Sequence, residues 1–334
     1  MVWVEFLICV VIVIAASNVL SKYADVIAEK TGLGRAWVGA ILLAGVTSLP
    51  EMVSGVTAVT VLNAPNLAIG GIVGSNMFNV TLIAMMDVAY QPGSILSKAQ
   101  EGHILAGGLG ILLMGLIASS QLIGSVFNGA GLGVISFISL AVVVVYLFGA
   151  RLLGRFERRR AIEVLEREAE VLHYDQINRR RAYLTFAAAA LIVVAAGVWL
   201  SSIAERISDE TGLGRSFVGA VFLGVSTSLP EIAASLSAVR LGAIDLAIGN
   251  VLGSNLFNVT LLAVYDVFDG ANNFWAAMSP ANALASIVSI MMTAVVIISL
   301  IYRASPKTPF RISWDGAALV GMYLGGLSLL YFMG

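Results

Sequence analysis

The sequence predicts an all-α integral membrane protein, with ten transmembrane helices arranged as two inverted five-helix repeats. Three observations carry this reading. Of 334 residues, 59% are hydrophobic and only 12% charged, and the mean hydropathy is +0.93. Soluble domains run to about half apolar and a quarter charged. Ten apolar runs are long enough to cross a hydrocarbon core, which takes about 20 residues of helix. Long stretches of the first half of the chain return in the second.

The ten runs are 3–21, 36–61, 67–89, 101–120, 131–153, 182–203, 215–240, 245–268, 281–303 and 314–333. The first lacks a basic leader and a small-residue cleavage site, so it is expected to span rather than to be removed. Cys9 is the single cysteine, which leaves no intramolecular disulfide and no cysteine metal cluster; its expected role is packing. Residues 1–153 form the first repeat and 182–334 the second. Between them, 154–181 is a basic cytoplasmic linker, with eight arginines against six acids over 155–181. Its expected role is a solvated, partly helical connection, with contact to anionic headgroups as the alternative.

Charge sorts the orientation, because lysine and arginine collect on the cytoplasmic side. With the linker inside, 17 of the 19 basic residues fall there, and only Arg206 and Arg215 fall outside. Both termini are then outside, in the plasma (inner) membrane. Adding or removing one span would scramble this sorting.

The repeat is close. TGLGRAWVGA (31–40) matches TGLGRSFVGA (211–220) at eight of ten positions. TSLPE recurs at 47–51 and 227–231, and LAIGGIVGSNMFNVTL (67–82) matches LAIGNVLGSNLFNVTL (246–261) at twelve of sixteen. Five spans is an odd number, so the second half enters the membrane from the opposite side. This is the inverted-repeat plan of secondary transporters, whose sites lie at the midplane between the halves.

Each repeated motif places chemistry at that depth. Glu51 and Glu231 lie about halfway along apolar runs, where an ionised group normally faces a polar cavity or a partner. Pro50 and Pro230 precede them and free the carbonyls of Val46 and Ser226. Thr47 and Thr227 stand four residues before the glutamates, on the same helix face, with Ser48 and Ser228 beside them. On the next spans, Ser75 with Asn79 and Ser254 with Asn258 are also four apart. The nearby glycines (Gly70, Gly71, Gly74, Gly249, Gly253) allow close helix approach. The set is all oxygen, without histidine or cysteine, which suits a hard cation such as Ca²⁺ with six to eight ligands. Two glutamates balance one divalent ion, and monovalent ions could share the same oxygens. The alternative for these residues is helix-packing glue and hydrogen-bonded structural carboxyls; two copies, each with a midspan glutamate, weigh against it.

TSLPE followed by GSNxFN, twice, in inverted five-span halves, resembles the cation/calcium antiporter superfamily and its prokaryotic sodium/calcium exchanger branch, over essentially the whole chain. The resemblance implies an ion site of Glu51, Thr47, Ser48, Ser75 and Asn79 with Glu231, Thr227, Ser228, Ser254 and Asn258. It adds the carbonyls of Ala44 and Gly224. It implies four clustered sites for Ca²⁺ and Na⁺, and a first and sixth span that slide against the rest. Proton-coupled relatives typically carry a GN-x-x-E type motif where this chain has TSLPE, which favours sodium. Potassium-dependent relatives carry Asp where Asn258 stands, so no potassium requirement is expected.

The expected function is therefore Na⁺/Ca²⁺ antiport, with Ca²⁺/H⁺ exchange or another divalent cation as the alternative, and a passive channel as the reading from another class. No enzyme activity, cofactor, nucleic acid or protein partner is inferred beyond the transported cations and the lipid bilayer. Asp87 and Asp266, in the matched contexts NVTLIAMMDV and NVTLLAVYDV, could suggest an aspartyl protease. Inverted halves would put them on opposite membrane faces, and they are expected to be interfacial end groups. His103 and His173 are expected to be solvated, and Glu5 interfacial.

Overall fold

The chain folds as an all-helical membrane protein. The computed structural model describes residues 2–90, 93–123, 131–132, 135–165, 174, 176–211, 227–270, 273–303 and 312–333. In chain order the helices are α1 (Val2–Thr31), α2 (Arg35–Thr47), α3 (Leu49–Thr60), α4 (Pro65–Ala89), α5 (Gly102–Ile123), α6 (Phe137–Leu165), α7 (Arg179–Thr211), α8 (Leu229–Arg240), α9 (Ile244–Asp269), α10 (Pro280–Tyr302) and α11 (Trp314–Met333). Two short 3₁₀ segments, Ile95–Lys98 and Phe274–Ala277, precede α5 and α10. Among the described residues, eight helices are long and apolar enough to cross a membrane, and nine when bent α2 and α3 count as one span. Gly224, His173 and the first part of the expected seventh span lie outside the described residues.

The ends of the elements differ from the hydropathy reading for local reasons. α1 runs ten residues past the apolar stretch, because its polar end is held by partners. Arg35 pairs with Asp25, Tyr174 donates its N–H to Glu29 (2.9 Å) and its hydroxyl to Asp25 (3.1 Å), and Arg179 reaches the carbonyl of Lys30. Burial and the Asp25 carboxylate push Tyr174 up to about 12, so it stays a donor. Residues 131–136 were expected within a span; instead Gly131–Leu132 (β1) and Ile135–Ser136 (β2) pair as two short antiparallel strands before α6 begins. α6 runs on to Leu165, so the first residues of the 154–181 segment continue a helix. The expected continuous helix 36–61 is broken at Ser48 into α2 and α3, which meet at 44°.

α4 and α9, which carry the GSN motifs, are the most enclosed spans, whereas α1, α6 and α11 turn apolar faces outward, such as Leu7 and Val11 of α1 and Val144 and Leu147 of α6. Lipid gives no hydrophobic drive for helices to associate, so packing rests on close van der Waals fit between small residues. The tightest crossing is α2 on α9. A Cβ at Gly39 would overlap the carbonyl of Leu246. One at Gly249 would meet the Ala36 carbonyl at 2.6 Å, and one at Gly253 would overlap the Ala40 backbone. Over Val38–Leu43, α2 is wound as a π-helix at this crossing. α1 and α7 pack extensively along each other, with an apolar seam of their own: Val2, Cys9, Val13, Ala196, Leu200 and Ile203. Within it the Cys9 thiol donates to the Ala196 carbonyl at 3.0 Å.

The α2–α9 crossing can be checked directly. Gly253→Val would set two methyls into the Ala40 backbone, at a cost of about 1–3 kcal/mol or more for overpacking. The expected outcome is a thermal midpoint in detergent lowered by several degrees or a loss of monodisperse protein; a wild-type melting curve would refute this contact.

Candidate ion-binding site

The two glutamates are held by the same local structure. At each motif the helix pauses at a serine in the sparsely populated bridge region, Ser48 at φ −87°, ψ 6° and Ser228 at φ −85°, ψ 4°. A new helix starts at once, with Met52 N–H bonding the Ser48 carbonyl (3.2 Å) and Ile232 N–H the Ser228 carbonyl (3.1 Å). Pro50 and Pro230 therefore do not interrupt a helix, as the sequence suggests. They sit in the first turn of α3 and α8, where a missing N–H costs nothing. Glu51 and Glu231 follow in that first turn, where the positive end of the helix dipole favours an anion. Both are deeply buried, at 4% and 0% exposure.

The hydroxyls serve the opposite motif's carboxylate. Ser48 donates to Glu231 Oε1 at 3.1 Å, and Ser228 lies 3.5 Å from Glu51 Oε1. Thr47 and Ser254 are also within hydrogen-bonding reach of Glu231, and Thr227 of Glu51. Thr47 Oγ1 lies 3.3 Å from the Ala44 carbonyl, 3.4 Å from Asn250 Oδ1 and 3.5 Å from Ser254 Oγ. Each carboxylate keeps one oxygen, Oε2, buried and without a hydrogen-bond partner. The same is true of both amide atoms of Asn79 and of Asn258 Oδ1, while Asn258 Nδ2 donates to Asn76 Oδ1 at 3.0 Å. Ser75 is buried on the same face of α4 as Asn79. The Ala44 carbonyl is part of the helix, accepting from Ser48 N–H at 3.0 Å.

Burying two like charges with unpaired oxygens is costly unless a cation compensates them. Among the described residues, no group of three or more His, Cys, Asp or Glu could hold a metal. The available donors are two carboxylates with hydroxyl and amide oxygens, the ligand chemistry of hard cations.

Several residues here escaped the sequence reading. Asn76 and Asn255 clasp α4 to α9 reciprocally, each amide donating to the other's backbone carbonyl at 3.3 Å and 3.1 Å. Both sit inside the repeated GSN triplet, so the repeat was their available signal. Tyr265 donates its hydroxyl to the Glu51 carbonyl at 2.8 Å, and its ring fills the space a Cβ at Gly55 would take. Ser21 of α1 donates to the Ala234 carbonyl of α8 at 2.7 Å.

Other expectations need correction. Asp87 and Asp266 lie near the ends of α4 and α9, but they are buried, at 1% and 3% exposure, and brace backbone. Asp87 accepts from Ile95 N–H (2.9 Å) and Ser313 N–H (2.8 Å), and Asp266 from Ser136 N–H (2.8 Å). The segments that fold back over the ends of α4 and α9 bring these donors in. His103 is not solvated either; it is 1% exposed and 3.0 Å from Asp245, which also accepts from Gln100 N–H. Glu5 pairs with Arg206 near the α1 terminus.

The sodium/calcium exchanger protein family model matches residues 1–162 and 181–332. The chain belongs to this family. It is 25% identical to the sodium/calcium exchanger MaX1 of Methanosarcina acetivorans over 363 aligned positions, covering all of both chains. It is 24% identical to the inner membrane protein YrbG of Escherichia coli, covering 96% of this chain and 94% of that one. Among solved structures, the sodium-calcium exchanger NCX_Mj superposes with TM-score 0.71 at 18% identity, covering 98% of this chain and 99% of that one. The fold of this exchanger-family chain is thus shared along nearly its full length.

The Tyr265 contact generates a prediction. Tyr265→Phe keeps the ring and removes one donor from the Glu51 carbonyl, which still accepts from Ser54 Oγ at 3.0 Å, so the cost is that of one lost hydrogen bond, about 0.5–1.5 kcal/mol. The detergent melting midpoint should fall; an unchanged midpoint would mean that the bond contributes nothing.

Proposed function

We propose that the protein exchanges Na⁺ for Ca²⁺ across the plasma (inner) membrane by alternating access, through a site built on Glu51 and Glu231. The observation that carries this reading is the pair of buried glutamates, each served by hydroxyls from the opposite motif and each with an unpartnered oxygen. Family membership supports the ion types. Thr47, Ser48, Thr227, Ser228, Ser75, Asn79, Ser254 and Asn258, with the Ala44 and Gly224 carbonyls, complete the proposed donors. One Ca²⁺ balances the two carboxylates, and Na⁺ ions compete for the same oxygens. Loading by one ion type requires release of the other, which couples the fluxes. The amide of Asn258 adds no charge, so potassium is not needed.

The reading includes ten spans in two inverted repeats, 1–153 and 182–334, joined by the 154–181 linker, with both termini outside. Matched contacts support the repeat. Asp245 on α9 accepts from Gln100 N–H and His103, and Asn66 on α4 accepts from Ser279 N–H (3.3 Å) and Asn282 Nδ2 (2.8 Å), each partner shifted by 179 residues. The sorting of basic residues supports the inversion. The extensive packing of α1 along α7 supports their moving as one unit.

Radiolabelled Ca²⁺ uptake into proteoliposomes tests the proposal. Vesicles loaded with Na⁺ and diluted into Na⁺-free buffer should take up Ca²⁺, and K⁺-loaded vesicles should not. Uptake driven by a pH jump alone would transfer the function to Ca²⁺/H⁺ exchange, and uptake without any counter-ion would indicate a channel. Glu51→Gln and Glu231→Gln should each abolish uptake while still inserting. Normal exchange by Glu51→Gln would sink the site assignment.

A further inference from the structure

We infer that Asn76 is a positioning residue of the ion site: its side-chain oxygen decides which end of the Asn258 amide is offered to a cation. The inference rests on the proposed exchange function. An amide has two ends of similar shape and opposite use. Its oxygen can bind a cation and its NH₂ cannot. An asparagine ligand therefore has to be turned the right way, whereas a carboxylate offers an oxygen at either end.

The orientation starts from a group that has no choice. The backbone carbonyl of Asn255 on α9 can only accept, and Asn76 Nδ2 of α4 reaches it at 3.3 Å. The same nitrogen lies 3.3 Å from the Met114 sulfur of α5, another acceptor. Asn76 Oδ1 is thereby left to face Asn258, which donates its own Nδ2 at 3.0 Å. Both side chains are fully buried. With its nitrogen committed, Asn258 keeps Oδ1 buried and without a partner. Asn258 stands one turn from Ser254, on the same face of α9, and Ser254 is within reach of Glu231. An amide oxygen held on that face with no donor of its own is a ready cation ligand. Reversed, Asn258 would set its oxygen against Asn76 Oδ1 and leave N–H donors for the ion.

The other half has the same residues without the same relay. Asn255 Nδ2 donates to the Asn76 carbonyl at 3.1 Å, which makes the clasp between α4 and α9 reciprocal. Yet Asn255 Oδ1 and both amide atoms of Asn79 have no hydrogen-bond partner. Asn255 thus serves the clasp alone, whereas Asn76 serves the clasp through its nitrogen and Asn258 through its oxygen. Comparing the two asparagines separates holding the helices from turning the ligand.

The test measures half-saturating Ca²⁺, from Na⁺-driven uptake and from the Ca²⁺-dependent melting shift, alongside the ion-free thermal midpoint. Both binding readouts are used so that a variant that binds without transporting still reports. The variants are Asn76→Leu, Asn255→Leu, Asn258→Ala and the double variant Asn76→Leu with Asn258→Ala. Asn76→Leu and Asn255→Leu each remove one clasp bond, so both should lower the ion-free midpoint. Only Asn76→Leu should raise half-saturating Ca²⁺, by about threefold to tenfold for one lost orienting hydrogen bond. The double variant should match Asn258→Ala in half-saturation, because Asn76 acts on the ion only through Asn258. Unchanged half-saturation in Asn76→Leu, an equal rise in Asn255→Leu, or an additive loss in the double variant overturns the inference. Should Asn76→Leu fail to insert, Asn76→Ser, which shortens the side chain by one bond, carries the test, and wild-type half-saturation there overturns the inference. A wild type that shows neither exchange nor a Ca²⁺-dependent melting shift overturns the exchange reading itself, and this inference with it.

Discussion

Two carboxylates buried within one cluster of hydroxyls in a membrane protein set the terms for the rest of the structure. Glu51 and Glu231 are almost fully enclosed. Moving such groups out of water costs several kcal/mol per charge even after the surroundings relax, so the chain must supply compensation. It does so with backbone first. The pauses at Ser48 and Ser228 start new helices, and each glutamate gains a helix N-terminus beneath it. It does so next with hydroxyls, given across to the opposite motif. Each glutamate thus takes hydroxyls from the other half, with Ser254 of its own half also in reach of Glu231.

That exchange of hydroxyls requires the helices to approach to backbone contact, and the glycines permit it. Gly39, Gly249 and Gly253 let α2 meet α9 with no side chains between them. Gly197 of α7 lies against Pro50, with Pro230 3.8 Å from where its Cβ would stand, so α7 lies across both helix breaks. The reciprocal Asn76 and Asn255 clasp then holds α4 and α9 in register, with each buried amide nitrogen paired to the other's backbone carbonyl. In a bilayer an unsatisfied backbone or amide group costs several kcal/mol, so this clasp resists sliding. The α1–α7 seam is of another kind: apolar, with one weak thiol donor, and side by side along its length.

The fold class and the core of the site were legible because they break a rule visible in the sequence. A glutamate in an apolar run is conspicuous, and its recurrence with the same neighbours marks Thr47, Ser48, Glu51 and their counterparts. The site's remaining features were hidden for physical reasons. Proline marks a helix disturbance, yet the break falls two residues earlier, because a proline in the first turn is compatible with a helix start. Asn250 and Tyr265 stand where the first half has Gly71 and Met86, so comparison of the repeats discards them as differences. His103, Asp87 and Asp266 lie at span ends, where hydropathy assigns water; the 3₁₀ turns and the short strands cover them, and only three-dimensional structure shows that.

Imperfect symmetry has consequences for coupling on the proposed reading. A perfectly twofold site would offer two equal regions, and one divalent ion would have no preferred position between them. Here Asn258 is tied through its amide nitrogen to Asn76 and carries no charge, so the total stays at two negative charges. An aspartate there would make three, which one Ca²⁺ could not neutralise. With two charges, the site is neutral when loaded with one Ca²⁺ or with two Na⁺, and doubly negative when empty. An empty site would have to cross the apolar interior uncompensated. Each 1.4 kcal/mol of that cost lowers the population able to do so about tenfold, so several kcal/mol make slippage rare. Tight coupling then follows from the charge count of the donors and the depth of their burial, with no separate gate that must sense which ion is bound.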